Sequence, residues 1–121
     1  MIREFCSAKI HMATITRRSM KEDCAIEVDA TLLKAAGIMP FEKVQVLNAN
    51  NGRRVELYAR PTARNSRDII ISGPATRWFE VGDAVIILSF CFARETDTFA
   101  VRAPRAVFVD RKNRITKIAH A

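Results

Sequence analysis

Lys43-Val44-Gln45-Val46-Leu47-Asn48-Ala49-Asn50-Asn51-Gly52-Arg53-Arg54-Val55-Glu56-Leu57-Tyr58-Ala59 is the stretch on which the fold turns. Apolar residues alternate through Val44 and Val46, then again through Val55, Leu57 and Ala59, which is the period of a strand with one buried face. Between them, Asn50-Asn51-Gly52 accepts positive φ at low cost, so the two runs should form a hairpin. Extended backbone then projects Arg54, Glu56 and Tyr58 from one face and Val55, Leu57 and Ala59 from the other.

Working outward, Lys9 to Thr16 reads as a strand, with Lys9, His11 and Ala13 on one face and Ile10 and Met12 on the other. Asp68 to Ser72, Ala84 to Cys91, Arg105 to Asp110 and Arg114 to Ile118 are further strands, the second apolar on both faces. Gly82-Asp83 and Arg111-Lys112-Asn113 supply turns. One helix is expected, capped by Asp29, with Leu32, Leu33 and Ala36 on one face and Gly37 just past its end. These elements predict a mainly β, small closed barrel of six or seven strands with one or two short helices. The 121 residues should form a single domain, 1–121.

Composition narrows the function. The chain is 49% hydrophobic and 27% charged, with a net charge of +7. No apolar run reaches the ~18 residues of a membrane span, and the start lacks the long apolar stretch of a secretory signal, so a cytoplasmic protein is expected. Basic residues are dispersed and only one Trp and one Tyr are present for base stacking, so small anions fit the charge better than nucleic acid or a membrane. Cys6, Cys24 and Cys91 are odd in number and lack CxxC spacing, which suggests neither a disulfide framework nor zinc. Two histidines without HxxxH spacing give no metal site. Trp78, just before a turn, reads as a core or interface anchor.

The Arg54, Glu56, Tyr58 face and the Lys9, His11 face admit two readings. They are solvated barrel exterior, or they form a basic pocket for a carboxylate in which Arg binds bidentately, Lys adds a point charge and Tyr moves a proton. Spacing alone leaves both open.

A resemblance adds to this. Met1-Ile2-Arg3, Lys9 with His11, Asp29 through Leu32-Leu33 to Ala35-Ala36-Gly37-Ile38, Asn48, Asn51-Gly52, Arg54, Tyr58, Arg64, Ser66, Arg67, Gly73, Ala75, Arg77 and Val81-Gly82-Asp83 through Ser89-Phe90 run without gaps. In these features the chain resembles the pyruvoyl-dependent aspartate 1-decarboxylases. The resemblance implies a double-psi β-barrel in a homotetramer with active sites between subunits. It implies that Lys9 and Arg54 bind substrate carboxylates, that Tyr58 protonates the carbanion left by CO2, that His11 lies near the substrate, and that Gly73, Pro74 and Ala75 form a substrate-contacting loop.

The chain departs from the family where the cofactor is made. Cys24-Ala25 stands where the family has Gly-Ser, and Leu57 and Ser72 stand where it has an assisting Thr and Asn. Self-cleavage needs a hydroxyl or thiol to attack the preceding carbonyl, and Ala25 has neither. The favoured expectation is therefore a family member with a retained carboxylate pocket and no pyruvoyl cofactor, performing proton transfer or lyase chemistry on a small amino acid or carboxylic acid. Tyr58 would be its acid or base, and Cys24 a nucleophile or simply a small buried hydrophobe. A one-residue shift instead makes Asp23-Cys24 the scissile pair, with pyruvoyl formed from Cys24 and β-alanine produced from aspartate. A non-catalytic ligand-binding or regulatory barrel, alone or assembled with an active paralogue, is the third reading.

Overall fold

The computed structural model describes residues 1–20, 23–97 and 103–120. Its strands are β1 (Ile2–Thr14), β2 (Arg17–Ser19), β3 (Ala25–Asp29), β4 (Lys43–Asn48), β5 (Arg54–Thr62), β6 (Ile69–Ser72), β7 (Ala84–Arg94), β8 (Arg105–Val109) and β9 (Ile115–His120). One α-helix, α1 (Ala30–Ala36), and a 3-10 helix over Gly73–Trp78 complete the fold. The protein is mainly β, as its alternation predicts.

The hairpin of β4 and β5 pairs Val44 with Leu57 and Val46 with Val55. Asn48, 1% exposed, secures its turn: its Oδ1 accepts from Asn50 N at 2.8 Å, and its Nδ2 donates to Trp78 O and Asp83 Oδ2. Asp29 does the same for α1. Its buried carboxylate accepts from Thr31 N at the helix start and from Asn65 N and Arg67 N of the β5–β6 loop, at 2.8 to 2.9 Å. Gly37, at φ 75°, ends the helix in the left-handed conformation.

All nine strands join one sheet in the order β2-β6-β3-β5-β4-β7-β1-β8-β9. β1 is bonded antiparallel to β7 and parallel to β8. Among the described residues no ladder joins β2 to β9, so the sheet has nine strands rather than six or seven and is not closed by hydrogen bonds, an arrangement consistent with a small β-barrel. Isolated bonds hold its seam: Thr16 N donates to Ile69 O at 2.8 Å, and Asn113 Nδ2 bridges Thr14 O and Arg67 O. Inside lie Ile10, Ile26, Val28, Val44, Val46, Leu57, Ile69, Ile71, Phe79 and Ile87. Burial of each such side chain stabilises the fold by about 1.5 to 3 kcal/mol relative to exposure.

One expected alternation fails. Met12 has φ 63°, the β1–β7 register slips between Ile10 and Ala13, and Met12 is 39% exposed while Ala13 is buried. The bulge inserts an extra residue, so Ala13 turns inward with Ile10 instead of outward with Lys9 and His11. β2 and β3, and the first half of β1, are strands that the pattern did not reveal. Trp78 is not in the core either: it is 39% exposed, with the Arg53 guanidinium 4.0 Å from its ring centre.

Candidate functional site

The segment Asp23-Cys24-Ala25 leads into β3, which lies parallel to β5 with Ala25 opposite Tyr58 and Ile26 opposite Ala59. Tyr58 N donates a long 3.4 Å bond to Cys24 O. Ser72 Oγ, fully buried, reaches both Asp23 O at 3.3 Å and Ala25 O at 3.1 Å. Next to it Gly73 sits at φ 82°, where a Cβ would stand 2.0 Å from Asp23 O. Only glycine combines that conformation with that approach. The Asp23 carboxylate meets the Arg60 guanidinium, which also lies 3.7 Å from Glu27.

The side chains of this segment divide sharply. Ala25 is wholly buried, and Leu57 points inward against the core, whereas Cys24 is exposed. The reading of Cys24 as a small buried hydrophobe is thus corrected: as the chain enters β3 its thiol faces solvent. Leu57, a candidate processing position, contributes packing rather than a polar contact.

Tyr58, Arg54, Lys9 and His11 all project from the outer face of the sheet. Arg54 is exposed and its Nη1 donates to Gln45 Oε1 at 2.7 Å. Tyr58 is half-buried, its ring 6.0 Å from that of Phe41. On β1, Lys9 Nζ lies 6.0 Å from the Phe108 ring centre, and His11 meets that ring edge-on at 5.4 Å. His11 Nδ1 is buried with no hydrogen-bond partner. Burial first, and the Lys9 charge second, hold the His11 pKa below its ordinary 6.5.

The sheet therefore gathers the proposed residues into two groups. Cys24, Tyr58 and the Gly73-Pro74-Ala75 backbone adjoin one another, with Arg54 on the same strand as Tyr58. Lys9 and His11 form the second group on β1, separated from β5 by β4 and β7. Three interstrand spacings amount to about 14 Å, so within one protomer the two groups share a face without meeting. A groove of about 320 Å³ between them is lined by Glu4, Glu42, Lys43, Gln45, Glu56, Phe90 and Phe92 among others. Arg60, which holds Asp23, was not foreseen. It is two residues beyond Tyr58, and extending the β5 alternation past Ala59 would have placed it on the same face.

A sequence model of the family described as aspartate decarboxylase matches residues 1–116. Curated relatives agree. The aspartate 1-decarboxylase of Desulfitobacterium hafniense is 41% identical over 120 residues, covering 99% of this chain and 94% of its own. That of Caldicellulosiruptor saccharolyticus is 40% identical over 120 residues, covering 99% and 93%, and that of Carboxydothermus hydrogenoformans 44% over 110, covering 91% and 86%. This chain belongs to the aspartate decarboxylase family. The pyruvoyl group associated with the aspartate decarboxylases has to be made from a residue bearing a hydroxyl or thiol. Ala25 does not fit that requirement. Between Asp23 and Ile26 only Cys24 carries such a group, and it follows directly the carbonyl that the Ser72 hydroxyl holds.

No helix of the described residues is long and apolar enough to cross a membrane.

Proposed function

We propose that this protein is a carboxylate-binding, lyase-like member of its family that acts on a small amino acid or dicarboxylate without a pyruvoyl group at position 25. The observation that carries this reading is the place of Ala25: it is buried in the β3 ladder opposite Tyr58, with a methyl group where a nucleophile is required. The residue types present support a substrate half. Arg54 offers a planar fork for a carboxylate, Lys9 a point charge for another, and Tyr58 a phenol that can deliver or accept a proton at the substrate carbon. Because the Arg54–Tyr58 and Lys9–His11 groups are about 14 Å apart in one protomer, the complete site would draw one group from each of two copies, in a homotetramer.

Denaturing mass spectrometry tests the reading. The expected result is one intact chain of 13.6 kDa. Two fragments meeting between Asp23 and Cys24, the second blocked by pyruvoyl, would overturn it.

A second reading is favoured by one contact: the Ser72 hydroxyl, shared between Ala25 O at 3.1 Å and Asp23 O at 3.3 Å, reaches the Asp23 carbonyl while the adjacent Cys24 is exposed. This is the arrangement that attack by the Cys24 thiol on the Asp23 carbonyl would use, and the product would be an ordinary aspartate 1-decarboxylase, as its relatives are named. Under either reading Arg54→Ala should weaken dicarboxylate binding by about 1.5 to 3 kcal/mol, the scale of a charge-assisted hydrogen bond. Tyr58→Phe should leave binding nearly unchanged and reduce turnover. Calorimetry and kinetics on both variants separate an enzyme from a non-catalytic binder, which would show only the first effect.

A further inference from the structure

His11, Phe108 and Lys117 stand directly opposite one another across β1, β8 and β9. Two residues earlier on β1, Lys9 starts a second row and faces Ala106, then Ala119. Directly opposed side chains share a face, so on the β8 side nothing bulkier than a methyl group stands beside Lys9, while Leu88 of β7 flanks it on the other. Phe108 then serves both rows: Lys9 Nζ is 6.0 Å from its ring centre, Lys117 Nζ 5.7 Å, and the His11 ring 5.4 Å.

Among the described residues neither ammonium group has a carboxylate partner, although both lie within about 6 Å of one aromatic ring. The buried Nδ1 of His11 has no partner either. An oxyanion shared by the two ammonium groups would give each a counter-charge and a charge-assisted hydrogen bond.

We propose that Lys117 is a further anion-binding residue, which with Lys9 holds one carboxylate of a small dicarboxylate while the Phe108 ring lies beside both ammonium groups. The proposal rests on the dicarboxylate reading above and adds to it residues of β8 and β9.

Titrating the full chain with succinate at low ionic strength, by calorimetry, tests it. Lys117→Gln should weaken binding about five-fold, the scale of one ammonium ~4 Å from a carboxylate in water, and flatten its salt dependence. Lys117→Arg should restore affinity to within about two-fold, since the charge returns. Lys112→Gln, which removes the same charge from the exposed β8–β9 turn, should change it by less than about two-fold. Equal losses in Lys117→Gln and Lys112→Gln, or no loss in either, overturn the role of Lys117 while leaving dicarboxylate binding in place. A wild-type chain that binds no succinate overturns both.

Discussion

The surroundings of Cys24 and those of Phe108 are built on different principles. Around Cys24 the main chain does the holding: Tyr58 N on Cys24 O, Ser72 Oγ on two carbonyls, and the Gly73 α-carbon against Asp23 O. Around Phe108, Lys9, His11 and Lys117 meet through side chains on a half-exposed face. In the first region each residue is tied into the fold, so a substitution there must suit the ladder before anything else. In the second, the cations contribute little to stability, so Lys9 and Lys117 can be replaced to test the proposed binding role with the fold left in place. Isolated exposed charges stabilise a fold by ~1 kcal/mol at most.

That contrast predicts graded effects. Gly73→Ala should be the most damaging, because it combines positive φ with a Cβ 2.0 Å from Asp23 O. We expect a loss above about 3 kcal/mol in urea denaturation. A loss under about 1 kcal/mol would mean that the Asp23 segment yields easily, and the contrast would collapse. Asp29→Ala removes the partner of three backbone N–H groups and should cost about 2 to 3 kcal/mol in the same assay.

On the other face, Lys9→Gln should shift unfolding stability by no more than about 0.5 kcal/mol. A larger loss would make Lys9 structural and weaken the case for a binding role.

The smallest effect is the pH dependence of His11. Its folded pKa lies below 6.5 through burial and then through Lys9, so the unfolded chain takes up the proton first. Stability is therefore highest above about pH 6.5 and falls as pH drops from there toward the folded pKa. His11→Asn should flatten that slope, as chemical denaturation at pH 7.5 and 5.5 would reveal. An unchanged slope would assign it to other groups.

Much of this is legible in the sequence wherever one physical signal dominates. Asn50 to Gly52 had to turn, Asp29 and Gly37 bound a helix, and the period of two put Arg54 and Tyr58 on one face. The failures have causes. β3 is buried at four of its five positions and has no alternation to detect. The first half of β1 is exposed or half-exposed on both faces. β2 has only three residues. Met12 occupies a backbone conformation that its side chain gives no reason to expect, so the bulge was invisible. Lys117, and the meeting of Arg60 with Asp23, needed the pairing of strands distant in sequence, which composition does not encode.

The double pairing of β1 has a consequence for the chain's birth. Its first partner, β7, begins at Ala84, and its second, β8, at Arg105. At roughly 5 to 20 residues per second of synthesis, β1 waits about 4 to 14 s after its own completion before β7 starts to appear. During that interval both of its edges are open hydrogen-bonding templates. The strand made first gains its partners only near the end of synthesis, and that delay is the window in which neighbouring nascent chains could exchange their opening segments.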